Sequence, residues 1–240
     1  KAFDTVNHKM MRAMFQGKGV RGRLLRNVMA KYENRRARIK VQEEGGGFAY
    51  SKWWKEAGTG ATQGGVDSME AFAGMVDDME KALIEEGARG VEAEDGGERW
   101  RVIEFADDAI LLAETEEDAQ QALAAVERFY LRWGLVPNPK KCEVILWDPS
   151  GGGGAPKLKM MGKALAVKKT IVYLGVEMGR SPSWATHIKR RKKAAGKWRW
   201  KVRNVARKKG TAPIEVEEVL RAGGEKASEM YGAELWASML

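Results

Sequence analysis

The 240-residue sequence predicts an α+β fold: an antiparallel sheet with helices on one face, followed by a basic helical C-terminal region. Three observations carry that expectation. Amphipathic helical stretches alternate with hairpin-like strand pairs and not with lone strands, which suits an antiparallel sheet better than a parallel one. Asp107 and Asp108 interrupt an apolar run, with Val102, Ile103 and Phe105 before them and Ala109 to Ala113 after, as a strand, a tight turn and a second strand would. Residues 180–209 hold 13 Lys or Arg and no acidic residue within a helical pattern.

Each element has its own local signal. In residues 8–33, Met10, Met11, Met14, Leu24, Leu25, Val28, Met29 and Tyr32 recur at helical spacing, and the glycines from Gly17 to Gly22 divide two helices. Residues 36–42 alternate polar and apolar side chains. Gly45, Gly46 and Gly47 then turn the chain into residues 48–55, which predicts a hairpin whose Trp53 and Trp54 are packing residues. Residues 67–86 predict one helix with Met69, Phe72, Val76, Met79 and Leu83 on a common face. Asp77 and Asp78 would sit in its middle, pointing to different sides, solvated, and poor rivals for a metal site. Residues 115–133 predict a second helix: Thr115 and Asp118 have capping-box spacing, and Gly134 stands where a C-terminal cap belongs. Residues 144–147 and 170–176 read as short strands, and residues 151–154 as a glycine connector. From Ser183 the pattern is helical to the end, broken at residues 210–213 and at Gly223-Gly224.

Composition narrows the function classes. Hydrophobic residues make up 44% and charged residues 31%, ordinary for a soluble globular chain of one sizeable core plus a small appended domain. No apolar run approaches the ~20 residues that span a bilayer, and the opening residues show no signal pattern, so no membrane partner is expected. A single cysteine, Cys142, excludes an intrachain disulfide and a cysteine-cluster metal site. It suits a reducing intracellular compartment, nuclear or cytoplasmic. The net charge of +9 comes from residues 180–209, since the other residues hold 29 basic against 33 acidic side chains. A second basic stretch, residues 18–40, holds nine Lys or Arg against Glu33. Clustered positive charge is a footprint for a polyanion, and the interleaved Trp184, Trp198 and Trp200 can pack a helix or stack on bases. Adjacent carboxylates at the edge of a core disfavour each other's ionisation, a cost that a divalent cation removes; oxygen ligands suit Mg²⁺.

Six segments in order resemble the reverse transcriptase of non-LTR (LINE-type) retrotransposons. Lys1-Ala2-Phe3-Asp4-Thr5-Val6-Asn7-His8 resembles the end of the family's first palm motif, Thr62-Gln63-Gly64-Gly65-Val66 its second, and Phe105-Ala106-Asp107-Asp108 its third. Gly134-Leu135-Val136-Pro137-Asn138-Pro139-Lys140-Lys141 resembles the fourth, and Tyr173-Leu174-Gly175-Val176 the fifth, the primer grip. Tyr231-Gly232-Ala233-Glu234-Leu235-Trp236 resembles a segment beyond the thumb.

The resemblance implies a polymerase palm in residues 1–150, with a fingers-like hairpin near 36–56. It implies a connector and primer-grip hairpin in 151–178 and a basic helical thumb in 179–240. It implies RNA-templated DNA synthesis by two-metal nucleotidyl transfer, with an RNA template, a DNA primer and deoxynucleoside triphosphates as partners and Mg²⁺ (or Mn²⁺) as cofactor. By the same resemblance, Asp107 is the direct metal ligand and Asp108 assists, while Lys141, with Lys140 beside it, protonates the departing pyrophosphate. Phe3 is the steric gate at the sugar, Gln63 and Gly64 lie under the incoming nucleotide, and Tyr173, Leu174 and Gly175 form the primer grip. Arg190, Arg191, Lys192, Lys193, Lys197 and Arg199 contact nucleic acid.

One departure stands out. The family's first motif carries a metal-binding aspartate ahead of its Lys-Ala-Phe-Asp, which would lie upstream of Lys1; Asp4 resembles a different aspartate of that motif. The expectation is therefore a domain truncated at its N-terminus and inactive alone, with activity in a full-length parent. The alternative is a non-catalytic module that binds RNA or an RNA–DNA duplex, of the maturase or domesticated kind. His8 and His187 are far apart and are expected to be structural or exposed.

Overall fold

The computed structural model describes residues 5–33, 36–55, 59–61, 66–93, 96–147, 154–179, 184–209, 218 and 221–236. Phe3, Gln63 and Gly64 lie outside the described residues. The chain divides into two compact units, Lys1–Pro139 with Lys157–Ala164, and Lys140–Pro156 with Leu165–Leu240.

The first unit opens with two helices, α1 (His8–Gly17) and α2 (Gly22–Ala30). Asn7 caps α1 by accepting hydrogen bonds from the backbone N–H groups of Lys9 (2.9 Å) and Met10 (3.4 Å). Their shared face buries Met11, Met14, Leu25, Met29 and Tyr32. Strands β1 (Arg36–Ala37), β2 (Lys40–Gln42), β3 (Phe48–Tyr50) and β4 (Trp54–Lys55) form the predicted hairpin, with β2 pairing β3 and β1 pairing β4. Trp53 and Trp54 do not pack as expected. Both are exposed, because nothing among the described residues covers that face.

The helix predicted over residues 67–86 is two, α3 (Val66–Val76) and α4 (Met79–Glu85), separated by a turn at Asp77 and Asp78. Aspartate is a weak helix former that favours caps and turns, and Asp77 is drawn into an ion pair with Lys18. Both aspartates are exposed, as predicted. The buried stripe runs through Ser68, Ala71, Phe72, Met75, Val76, Met79 and Leu83; Met69 lies off it and is exposed.

Two hairpins follow, β5 (Val91–Glu92) with β6 (Arg99–Trp100), and β7 (Val102–Phe105) with β8 (Asp108–Leu111). Helix α5 (Glu116–Arg132) carries both predicted ends. Thr115 Oγ1 accepts from the Asp118 N–H at 3.1 Å, and three acidic residues fill the first turn, where the helix dipole favours them. At the other end Gly134 takes φ 71°, so that the N–H of Leu135 reaches the Tyr130 carbonyl at 2.8 Å in a Schellman closure. Ala122, Leu123, Ala125, Val126 and Phe129 are its buried stripe. Strands β10 (Lys159–Met160) and β11 (Lys163–Ala164) complete this unit, and β10 packs on α5.

The second unit pairs β9 (Glu143–Ile145) in parallel with β12 (Ala166–Lys168), and joins β13 (Thr170–Tyr173) to β14 (Val176–Gly179) as a hairpin. Helix α6 (Ala185–Lys209), 25 residues and about 37 Å long, carries the basic block. A π-helical stretch, Arg221–Lys226, then leads into α7 (Ala227–Glu229) and α8 (Ala233–Trp236). Gly223 and Gly224 were expected to break the helix and instead lie within that wider turn. A Cβ on Gly224 would come 2.5 Å from the Trp198 ring, so the bare glycine lets the indole lie against the backbone.

The architecture is α+β, with helices and antiparallel hairpins predominating. It differs from a single continuous sheet: the described strands pair two by two, and β9–β12 is parallel.

Candidate active site

The acidic pair lies where the sequence places it. Phe105 pairs with Asp108 across a two-residue turn made of Ala106 and Asp107. Ala106 has φ 54°, a positive value at the first central position, as a type II′ hairpin turn requires. Glycine is the usual occupant there. An alanine in this conformation costs about 1–3 kcal/mol, strain of a kind that concentrates at functional sites. Asp107 stands at the tip, Asp108 opens β8, and both are exposed. The two carboxylates are hard oxygen donors on a solvent-facing hairpin, a chemistry that fits Mg²⁺ or Mn²⁺. Among the described residues no group of three or more His, Cys, Asp or Glu side chains comes together as a metal site.

The hairpin inverts the usual alternation. Ile103 and Phe105 face outward, while Glu104 between them is half-buried. Its carboxyl is pushed up to about 7, first by desolvation and then by the carboxylates of Asp77 and Glu80. The folded state therefore holds a proton that the unfolded chain gives up near the ordinary value of 4.5. Stability tied to Glu104 is full below that pH and is lost as pH rises through about 7. We expect the melting temperature to fall between about pH 5 and about pH 8, and Glu104→Gln to remove most of the fall. An unchanged pH profile in the Gln variant would disprove this role.

The segment feeding this hairpin is anchored by a contact that spacing did not reveal. Asp118, buried at the start of α5, accepts from the backbone N–H groups of Arg89 (2.7 Å) and Gly90 (3.0 Å). Arg99 and Arg101 donate to the carbonyls of Arg89, Gly90 and Ala88 at 2.8–2.9 Å. The spacing suggested a capping box in which Asp118 reaches back to its own helix; its carboxylate instead ties a loop to it.

In the second unit, Tyr173, Leu174 and Gly175 form the tip of the β13–β14 hairpin. Leu174 (φ 47°) and Gly175 (φ 81°) both have positive φ, the type I′ pattern. Two residues that the sequence did not connect with this tip hold it. The Tyr231 hydroxyl donates to the Leu174 carbonyl, and its ring lies so close that a Cβ on Gly175 would meet it at 3.2 Å. His187, fully buried, accepts at Nδ1 from the Glu177 N–H (3.1 Å), which leaves Nε2 to donate to the Tyr231 carbonyl (3.1 Å). The Arg191 guanidinium lies 5.2 Å from the centre of the Tyr231 ring. His8 is also structural: it is buried, with Nε2 2.9 Å from the Gly60 carbonyl.

Lys140 and Lys141, in this second unit, are exposed in a turn. On α6, Lys192, Lys193 and Lys197 are exposed, while Arg199 pairs with Glu225. Arg190 Nη1 and Arg191 Nε are buried with no hydrogen-bond partner among the described residues. Lys193, Gly196, Lys197, Trp200 and Lys201 line a groove in which Trp200 is 66% exposed. One stretch of the helix thus presents several cations and an indole to solvent.

Comparison with known proteins supports the family resemblance. The family described as "Reverse transcriptase (RNA-dependent DNA polymerase)" matches residues 1–178, which include both hairpin tips and end ahead of α6. The retrovirus-related Pol polyprotein from type-1 retrotransposable element R2 of Nasonia vitripennis is 30% identical over 151 residues, 63% of this chain. The match spans 14% of that relative's own length.

Proposed function

This chain belongs to the reverse transcriptase (RNA-dependent DNA polymerase) family, in its non-LTR retrotransposon branch, and we propose that it supplies the palm and thumb of an enzyme that copies RNA into DNA. The observation that carries this reading is the strained Ala106 turn, which holds Asp107 and Asp108 at an exposed tip inside the family-matched span.

In this proposal Asp107 is the direct ligand of Mg²⁺ or Mn²⁺ and Asp108 positions it. Two such ions, when bound, would stabilise the charge that develops on the attacking and leaving oxygens of the transfer. The residues of the chain divide the remaining work. Phe3 would screen the nucleotide sugar, Gln63 and Gly64 would support the nucleotide, and Lys141 would donate a proton to the departing pyrophosphate. The Tyr173–Leu174–Gly175 tip, braced by Tyr231 and His187, would hold the primer end. A braced tip costs less ordering entropy when substrate binds, which favours a productive geometry. RNA template, DNA primer and deoxynucleoside triphosphates are the proposed partners.

Extension of a DNA primer along RNA, by a polypeptide carrying this domain, tests the reading. Extension that survives loss of Asp107 would overturn the metal assignment. The thumb has a separate test. Cations on α6 that neutralise phosphates release counterions, so affinity for a primed duplex should fall with salt at a log–log slope of about −0.7 to −0.9 per contact. Replacing Arg190, Arg191, Lys192 and Lys193 with glutamine should flatten the slope and leave sequence preference unchanged. Binding by the unmodified chain that ignores salt would contradict a phosphate-based grip.

A further inference from the structure

The β1–β4 hairpin does not bury the residues that should have stabilised it. Every described side chain from Arg36 to Trp54 is exposed. Ile39, Val41, Phe48, Tyr50, Trp53 and Trp54 are each between 45% and 58% exposed. A two-stranded hairpin standing by itself is marginally stable, and apolar surface of this density marks an interaction site.

The pairing shows what one face of it offers. Lys40 lies opposite Tyr50 and Gln42 opposite Phe48, so these four share a face. On it the Arg38 guanidinium sits 4.0 Å from the centre of the Tyr50 ring and 4.5 Å from that of Trp53, and Lys40 Nζ sits 3.6 Å from that of Phe48. Residues 36–55 hold five Lys or Arg and two acidic residues, and the acids, Glu43 and Glu44, fall at the turn.

A protein's apolar face would have to strip water from Arg38 and Lys40 to cover these rings. A nucleic acid would not, because its phosphates meet the cations while its bases meet the rings. The bases must be unpaired, since a duplex hides their faces. We propose that the β1–β4 hairpin is a stacking platform for a single-stranded RNA. This rests on the reading of the chain as part of an RNA-copying enzyme, and it gives that enzyme a grip on unpaired template distinct from the phosphate contacts of α6.

The test uses the 240-residue chain with a fluorescent, unstructured twelve-nucleotide RNA and with an RNA–DNA duplex. The double variant Tyr50→Leu/Trp53→Leu keeps the face apolar and removes two stacking rings. It should weaken single-strand binding at least tenfold, with duplex affinity and the salt slope of single-strand binding unchanged, since stacking releases no counterions. Ultraviolet crosslinks from the RNA should fall on the peptide holding residues 36–55. Unchanged single-strand affinity in a folded double variant, or crosslinks confined to other peptides, overturns the proposal. A concentration-dependent dimer that the double variant abolishes without altering RNA binding overturns it too, in favour of a second copy on this face. If the double variant does not fold, Arg38→Gln and the crosslink map of the unmodified chain decide. Arg38→Gln should reduce the single-strand salt slope by about one contact. Failure of the unmodified chain to bind either nucleic acid defeats the functional reading itself. Binding that depends on α6 but ignores the hairpin defeats this proposal alone.

Discussion

Asp107→Ala, introduced into the polypeptide that carries this domain, is expected to lower primer extension on RNA on the order of a thousandfold or more. Asp107 occupies the tip of a two-residue turn whose strained Ala106 fixes its direction. Removing its carboxylate takes away the direct ligand proposed for the metal, and loss of metal stabilisation at developing charge is worth about 4 kcal/mol or more. Binding of the primed template should change little, because α6 is the proposed source of phosphate contacts. The effect should therefore appear in kcat far more than in KM. Asp77→Ala is the control of the same chemistry at a different place. That aspartate is exposed in the turn between α3 and α4 and pairs with Lys18, so its loss should leave extension within about threefold and cost at most about 1 kcal/mol of stability. Equal losses from the two variants would mean that Asp107 acts through stability and not as a ligand.

The largest effect on folding is expected at Gly90. Its φ is 70°, and a Cβ built on it would stand 2.3 Å from the Trp100 carbonyl oxygen and 2.7 Å from Arg101 Cγ. The nearest obstacle is backbone that cannot swing aside. Its N–H is also held by the buried Asp118. Gly90→Ala should destabilise the protein by about 3–5 kcal/mol, through left-handed strain, the clash and the displaced hydrogen bond together. Gly96 offers a matched comparison: its φ is 75°, yet nothing lies within 4 Å of the added Cβ. Gly96→Ala should cost only about 1 kcal/mol. Equilibrium denaturation measures both, and equal costs would show that the Trp100 contact is not rigid. Because Gly90 leads into β5, whose partner β6 runs on into β7, the Gly90 variant should also loosen the acidic hairpin, seen as faster amide exchange at residues 102–111.

Much of this was legible in the chain because its causes are local. A polar pair between two apolar runs predicts a hairpin wherever it stands, and so Asp107 and Asp108 were placed at their turn. Thr115 and Gly134 bracketed α5 because capping depends on residues within one helical turn. Periodicity located α1, α2 and α6, and the run of Lys and Arg marked α6 as the basic stretch. The resemblance of six ordered motifs then named the family that the comparisons support.

Tertiary structure decided what depends on partners distant in sequence. Spacing could not say that Asp118 reaches a loop 28 residues back, or that Tyr231 closes over Leu174, 57 residues away. Nor could it say that His187 would bridge β14 to Tyr231. It read Trp53 and Trp54 as packing residues because large aromatics usually pack, yet packing requires a covering surface, and none of the described residues provides one. It read residues 67–86 as one helix because period and propensity favour continuation, whereas the ion pair to Lys18 and the turn preference of aspartate end α3 at Val76. A short sequence window fixes backbone direction and period, which are set by each residue and its near neighbours. Which groups meet, and which face is left open, depends on free energies of contact that exist only once separate elements have come together.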